Sequence, residues 1–186
     1  MKKILFFLTA GFILASCSNS GSKPQSGDQG EPNEIVITND LENAMGVIPS
    51  WHNERTVIAM KEPPAHSGKY ACITNDTMEY SYSFSELFKN LNKGLPKMAV
   101  VSGWIYTTVA SPKQGIVLDI KDNNDLYEWK VYPLDDVLKV PGKWVEFNAS
   151  FYFSKPLKPE QKVSIFFWNQ SKKPIYVDDF KISFIY

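Results

Sequence analysis

Aromatic residues stand at alternate positions in two stretches of the sequence, in phase with serine and threonine. The first stretch places Trp104 in phase with Tyr106, and the second places Phe166 in phase with Trp168. Trp and Tyr rings stack on the apolar C–H faces of pyranose sugars, whose hydroxyls need polar partners. The candidate carbohydrate-binding residues are therefore Trp104, Tyr106, Trp168 and Asn169. Further polar candidates are Gln170, Asp119, Glu128 and Asn148.

Two other roles suit these aromatic residues. A loop such as residues 84–96 can cover a sheet so that Trp and Tyr pack beneath it, and Trp144 at a strand start is expected to have a structural role. An exposed aromatic patch also marks surfaces that bind proteins. A groove with polar neighbours would favour sugar, and a flat apolar surface would favour protein. Trp129 shares its phase with Tyr127 and Val131, which predicts a place in the core.

One carboxylate stands in phase with apolar residues near the end of the chain. Asp178 alternates with Phe180 and Ile182, which predicts that its side chain points toward the core at a strand start. A buried carboxylate is costly unless it is protonated, hydrogen-bonded or bound to a cation. Asp178 is therefore expected to have a specific partner.

Period-two alternation of apolar and polar residues predicts the elements that position these side chains. The expected strands are 34–39, 54–60, 69–75, 79–84, 98–110, 115–121, 126–132, 143–153, 162–168 and 174–185. Breakers such as Glu62-Pro-Pro and Pro141-Gly lie between them. The one helical candidate is Ser85 to Leu91. This pattern predicts an all-β sandwich of two antiparallel sheets with one short helix, formed by residues 34–186.

Charge and motif content exclude several classes of function. The 186 residues carry 20 basic and 20 acidic side chains, and this balance argues against nucleic acid as a partner. The sequence contains no glycine-rich phosphate loop and no nucleophile elbow. The neighbouring acids of Asp178-Asp179 would point to opposite sides of a strand, unlike the facing carboxylates of a glycosidase. We therefore expect binding rather than catalysis.

The first residues have the pattern of an export signal. A basic start precedes a run of 12 apolar residues, Ile4 to Ala15, which is too short to span a membrane as an ordinary helix. Leu14-Ala15-Ser16-Cys17 resembles a bacterial lipobox. This resemblance implies that residues 1–16 are removed, that Cys17 carries lipid and that residues 17–33 form a flexible tether. The same resemblance implies the outer membrane, because Ser18 stands where an Asp would retain such lipoproteins at the inner membrane. The periplasmic and cell-surface faces both remain open.

Six short patterns follow one another along residues 34–186. They are Asn39-Asp40-Leu41-Glu42-Asn43, Trp51, His66-Ser67-Gly68-Lys69-Tyr70, Gly103-Trp104, Gly142-Lys143-Trp144 and Val177-Asp178-Asp179-Phe180. In this order they resemble the galactose-binding-like jelly roll and, within it, the carbohydrate-binding modules that accompany cellulases and xylanases. The resemblance implies a jelly-roll fold and a carbohydrate ligand, although the fold hosts many roles.

The same resemblance implies a structural calcium ion. In such modules the ion ties the first strand, the HSGK-type turn and the last strand together. Carried over, Glu42 and Asp178 would supply carboxylate oxygens, and a backbone carbonyl near Gly68 or Lys69 would complete the shell. The alternative is that Asp178 accepts hydrogen bonds while Glu42 is solvated.

These expectations combine into one hypothesis and a rival. The chain is expected to be a non-catalytic, lipid-anchored envelope protein whose jelly-roll domain binds carbohydrate. The rival is a scaffold or adhesin-like lipoprotein that uses the same aromatic surface to bind a protein.

Overall fold

The computed structural model describes residues 33–43, 49–91, 94–110 and 112–186. The predicted signal peptide, the lipidation of Cys17 and nearly all of the predicted tether lie outside these ranges. Across the described ranges, no helix is both long and apolar enough to cross a membrane.

Eleven strands in the described part of the chain form two antiparallel sheets. The strands are β1 (Glu34–Asn39), β2 (Trp51–His52), β3 (Val57–Ala59), β4 (Tyr70–Thr74), β5 (Ser83–Leu87), β6 (Met98–Thr107), β7 (Gln114–Asp122), β8 (Asp125–Pro133), β9 (Trp144–Tyr152), β10 (Lys162–Asn169) and β11 (Ile175–Ile185). The first sheet has the order β3-β4-β11-β6-β9, with β1 also paired to β11. The second has the order β2-β5-β10-β7-β8. The predicted all-β jelly-roll sandwich is confirmed.

The inward-facing residues of both sheets share one hydrophobic core. Phe147, Phe151, Ile165 and Phe180 are all buried in it. Phe167 of the second sheet joins the layers, because its ring centroid lies 5.2 Å from that of Phe147 and 5.5 Å from that of Phe180. Burying each large apolar side chain contributes roughly 1.5–3 kcal/mol. The period-two pattern thus fixes which face of each strand is inside.

The predicted helix is part strand and part 3-10 turn in the structure. Ser85 belongs to β5, and only the 3-10 turn Phe88–Leu91 is helical. Ser85 pairs with Ser164 of β10, and the two hydroxyls hydrogen-bond at 2.8 Å. Pairing with β10 therefore holds this backbone in the sheet and overrides its local helical preference.

A β-bulge in β11 changes the direction of one predicted site residue. The register of β11 against β6 shifts between Asp178 and Lys181, and Asp179 adopts a φ of 51°. Before the bulge, Asp178 pairs with Trp104 and lies on the outer face of the first sheet. After it, Phe180 faces the core. The prediction that Asp178 points toward the core is therefore wrong, because a bulge reverses the alternation.

Candidate functional site

The outer face of the first sheet is covered by the chain itself. Trp104 and Tyr106 lie there, half-buried beside the turn segment 62–69. His66 of this turn stacks on Trp104, with ring centroids 3.9 Å apart and an interplanar angle of 12°. Trp144 donates its indole N–H to a carbonyl of the turn at 3.0 Å. The imidazole thus occupies the ring face that a sugar would need, and these aromatic residues hold the turn.

Two adjacent carboxylates fasten the same turn. The Ser67 hydroxyl donates to Asp179 Oδ1 at 2.6 Å, and His66 Nδ1 hydrogen-bonds Asp179 Oδ2 at 2.6 Å. The Ser67 backbone N–H donates to Asp178 Oδ2 at 3.1 Å. Asp178 is completely buried, and this burial raises its pKa to about 6. The expected partner of the Asp178 carboxylate is therefore, in part, a backbone N–H group of this turn.

The residues expected to hold calcium fit the ion in part. Glu42 Oε1 accepts the backbone N–H groups of Lys69 at 2.8 Å and Tyr70 at 2.9 Å. Both Glu42 and Asp178 are hard oxygen donors bound to one turn, which suits calcium chemistry. The Lys69 carbonyl accepts the Met60 N–H at 2.8 Å, which leaves its second lone pair for an ion. Among the described residues, no three acidic, histidine or cysteine side chains converge as metal ligands.

The outer face of the second sheet carries an open groove of about 360 Å³. We call it the aromatic groove, lined by Tyr80, Trp129, Phe166, Asp119, Lys121 and Ser83. The side chains of Tyr80 and Trp129 are prominent there, since these residues remain 45% and 42% exposed. The groove therefore combines exposed ring faces with a carboxylate, an ammonium group and a hydroxyl.

Ring contacts hold the aromatic groove in shape. The Phe166 ring makes edge-to-face contacts with Tyr80 and Trp129, with centroid distances of 5.6 Å and 5.9 Å. The ring centroids of Trp168 and Trp129 lie 6.2 Å apart, and Trp168 donates its indole N–H to a Glu79 carboxylate oxygen at 2.7 Å. Edge-to-face contacts of this kind contribute about 0.5–1.5 kcal/mol each beyond area burial. The exposed rings are thus positioned by neighbours rather than free to turn.

Asp119 forms part of the floor of the aromatic groove. It pairs with Trp129 on one side and Ser164 on the other, so its side chain points outward from the second sheet. Asp119 Oδ2 lies 3.9 Å from Lys121 Nζ. Oδ1 is buried and accepts no hydrogen bond from the described residues. Burial raises the pKa of Asp119, and the positive charges of Lys121 and Lys162 oppose that rise.

The structure separates the four residues predicted to bind carbohydrate. Trp104 and Tyr106 lie on the first sheet and Trp168 on the second, so the sandwich stands between them. Asn169 follows Trp168 and therefore faces inward, where its amide donates to the Lys173 carbonyl at 2.8 Å. Only Trp168 lies beside the aromatic groove. The four candidates therefore do not form one site, because phase on a strand does not reveal which sheet the strand joins.

Trp129 and Tyr80 were not among the predicted binding residues. The expected core position of Trp129 is wrong because β8 is an edge strand whose inward phase is polar. Glu128 faces that way and meets the Ser154 hydroxyl. Tyr80 lies outside the strands, in an isolated bridge to Trp168. One signal was present in the sequence: Asp119 is a lone charge inside the apolar run of β7.

Comparison with known proteins gives the fold. No family model matches the chain, and no curated protein matches it. The CBM22-1 xylan-binding domain of Paenibacillus barcinonensis Xyn10C aligns with 84% of this chain and 98% of its own length, at 15% identity and a TM-score of 0.54. The CBM22-2 xylan-binding domain of the same enzyme aligns with 80% and 98%, at 17% identity and a TM-score of 0.53. The chain shares the jelly-roll fold of these carbohydrate-binding modules.

A third structure has the same likeness. It contains the CBM22-1 and GH10 modules of Clostridium thermocellum xylanase 10B in complex with xylohexaose. It aligns with 83% of this chain and 29% of its own length, at 13% identity and a TM-score of 0.52. At such identities, the likeness concerns the fold and not the ligand.

Proposed function

We propose that the protein binds carbohydrate in the aromatic groove. The observation that carries this proposal is the arrangement of exposed Tyr80 and Trp129 rings around the nearly buried carboxylate of Asp119. The rings offer apolar faces for the C–H side of a pyranose, while Asp119 and Lys121 offer partners for its hydroxyls. A surface that binds protein would be flatter and less polar at its centre.

The structural neighbours suggest a first ligand to test. Two of them are xylan-binding domains, and a third was solved with xylohexaose. Xylan and other unbranched β-linked polysaccharides are therefore the starting panel. A groove that is open to solvent along the sheet suits an internal chain segment of such a polymer.

Binding without cleavage is the second part of the proposal. Glycosidases need two carboxyl groups that face the scissile bond, roughly 5–9.5 Å apart. Among the described residues that line the aromatic groove, Asp119 supplies the only carboxylate. Glu128 precedes Trp129 in the sequence, but its side chain lies on the opposite face of β8, where it accepts a hydrogen bond from Ser154.

Attachment to the outer membrane completes the proposal. Lipid on Cys17 would hold the mature protein at the membrane surface, and residues 18–33 would let the domain stand off it. The protein would then capture glycan at the cell envelope for other envelope proteins to use. Globomycin treatment and acyl labelling of Cys17 would test the anchor independently of binding.

Affinity gel electrophoresis of the full-length chain tests the binding proposal. The gels contain soluble xylan, mixed-linkage glucan or galactomannan, and retardation reports binding. Tyr80→Ala should remove most retardation, because it removes one stacking wall. Tyr152→Ala is the matched control, since Tyr152 is 68% exposed on β9, away from the groove. A wild-type protein that folds but is retarded by no polysaccharide would rule out this function.

A further inference from the structure

Asp119 differs from the other polar residues of the groove because its position is costly to the fold. Its side chain is only 9% exposed, although it lies on the outer face of the second sheet. The residues before and after it in β7, Leu118 and Ile120, belong to the hydrophobic core. A charged side chain in this place gives the sandwich no packing advantage over an apolar one.

The two oxygens of Asp119 have unequal surroundings. Oδ2 lies 3.9 Å from Lys121 Nζ, at the long end of an ion-pair distance. Oδ1 is buried without any hydrogen-bond donor in the described structure. Leaving a buried polar atom unpaired destabilises the fold, and native proteins leave few such atoms without a ligand or water.

The unpaired oxygen belongs to a residue that lines the aromatic groove. Trp129 lies directly across from Asp119 in the β7–β8 register, and Phe166 stands beside Trp129. A ligand that stacks on Trp129 would therefore bring its edge over the carboxylate. An ionised carboxylate only accepts hydrogen bonds, so this edge must donate them.

We propose that Asp119 is the specificity-determining residue of the aromatic groove and selects glycan segments with free vicinal hydroxyl groups. This inference rests on the proposed function. Because Oδ1 is buried in the free protein, the ligand must turn the carboxylate so that both oxygens face the groove. Two neighbouring hydroxyls can then donate to the two oxygens at once, in the bidentate manner that carboxylates accept from other paired donors. Acetyl or methyl groups on those hydroxyls remove the donors and leave the buried oxygen unpaired. A site built around such a hydrogen bond discriminates strongly against ligands that lack it.

The test compares two glycans and three proteins by isothermal titration calorimetry. The probes are xylohexaose and fully O-acetylated xylohexaose, and the proteins are full-length wild type, Asp119→Asn and Asp135→Asn. Wild type should bind xylohexaose at least about tenfold more tightly than the acetylated form. Asp119→Asn should weaken binding of xylohexaose by about tenfold or more and reduce the discrimination. Asp135→Asn, which removes an exposed acid elsewhere, should match wild type.

The outcomes separate this inference from the proposed function. If wild type binds xylohexaose and Asp119→Asn binds it equally well, Asp119 does not select the ligand, while carbohydrate binding stands. Equal binding of free and acetylated xylohexaose by wild type would overturn the inference in the same way. If wild type binds neither probe while the gels show retardation by another polysaccharide, the same comparison is made with a free and an acetylated oligosaccharide of that polysaccharide, and equal binding of those two overturns the inference. If no polysaccharide binds at all, the proposed function fails first.

A second readout needs no ligand. Asp119→Asn should raise the melting temperature of the free protein, because the amide removes a buried charge without changing shape. A lower melting temperature would mean that the carboxylate stabilises the fold, which would contradict a role reserved for ligand.

Discussion

Two buried aspartates show how neighbouring groups decide the role of a side chain. Asp178 accepts backbone N–H groups from Ser67 and Asp179, so the folded chain itself satisfies it. Asp119 Oδ1 receives no such donor within the described residues. The first carboxylate therefore organises structure, and the second keeps an unpaired acceptor on a residue that lines the aromatic groove. This contrast is the main argument for placing function on the second sheet.

The pKa of Asp119 leads to a prediction about stability and pH. Burial raises its pKa in the folded protein above the unfolded value of about 3.9. The folded state then holds a proton that the unfolded state has released, so Asp119 lowers stability as pH rises through its folded pKa. The free energy of unfolding of Asp119→Asn should match that of wild type near pH 3.5 and exceed it at pH 7.

Urea unfolding of both proteins at several pH values measures this difference. Asp135→Asn provides the control, because an exposed carboxylate should give a gap that changes little with pH. A gap between wild type and Asp119→Asn that is constant from pH 3.5 to pH 7 would show that burial does not perturb Asp119.

The sequence revealed part of this residue-scale picture. The unusual placement of a carboxylate at Asp178 predicted that it needs a partner, and the structure supplies one. The direction of the Asp178 side chain was not predictable, because it depends on the β-bulge in β11. At this bulge Asp179 adopts a positive φ, and aspartate tolerates that conformation, so no glycine in the sequence reveals the bulge. Asp119 was among the polar candidates, but its unpaired oxygen became visible only when β8 and β10 were placed beside it.

Among the elements, the bulge in β11 depends on a glycine in β6. A Cβ at Gly103 would lie 2.9 Å from the Asp178 carbonyl oxygen and 3.0 Å from the ring of Phe147. Gly103→Ala should therefore lower the free energy of unfolding by about 1–3 kcal/mol, because backbone and core must shift. Ser102→Ala, one residue earlier on the outer face, is the control and should have a smaller effect. Denaturant unfolding measures both, and equal stabilities would show that the bulge has room to move.

The turn segment 62–69 provides a separate test for calcium. We propose that Glu42 and Asp178 are the carboxylates through which a structural calcium ion would bind this turn. If so, EDTA should lower the melting temperature by several degrees, since an ion at a hundred times its Kd adds about 2.7 kcal/mol. Asp178→Asn should abolish the response to EDTA. An unchanged melting temperature after complete calcium removal would leave the turn held by its hydrogen bonds alone.

Most elements were predictable because the alternation of side chains is a local property. Strands such as β1 and β10 lie where the period-two pattern places them. The helix at Ser85–Leu91 was correct only as the 3-10 turn Phe88–Leu91, because pairing with β10 is a non-local contact that holds the preceding residues in β5. The two-residue strand β2 is too short to produce any pattern.

At the scale of the whole molecule, the two outer faces of the sandwich differ in whether a turn covers their aromatic residues. On the first sheet, His66 covers Trp104 and the aromatic residues hold a turn. On the second sheet, Tyr80 and Trp129 remain exposed around Asp119. The sequence predicted two sheets and aromatic outer faces, but it did not show which face a turn covers. That choice depends on where residues 62–69 fold back, which is a property of the assembled sandwich.

The five tryptophans allow one experiment to test which face binds. The indole N–H signals of the 15N-labelled full-length protein are recorded while the polysaccharide selected by the affinity gels is added. We expect the Trp129 signal to shift most and the adjacent Trp168 signal to shift with it. The signals of Trp51, Trp104 and Trp144 should stay in place. A shift of Trp104 and Trp144 with Trp129 unchanged would contradict binding in the aromatic groove.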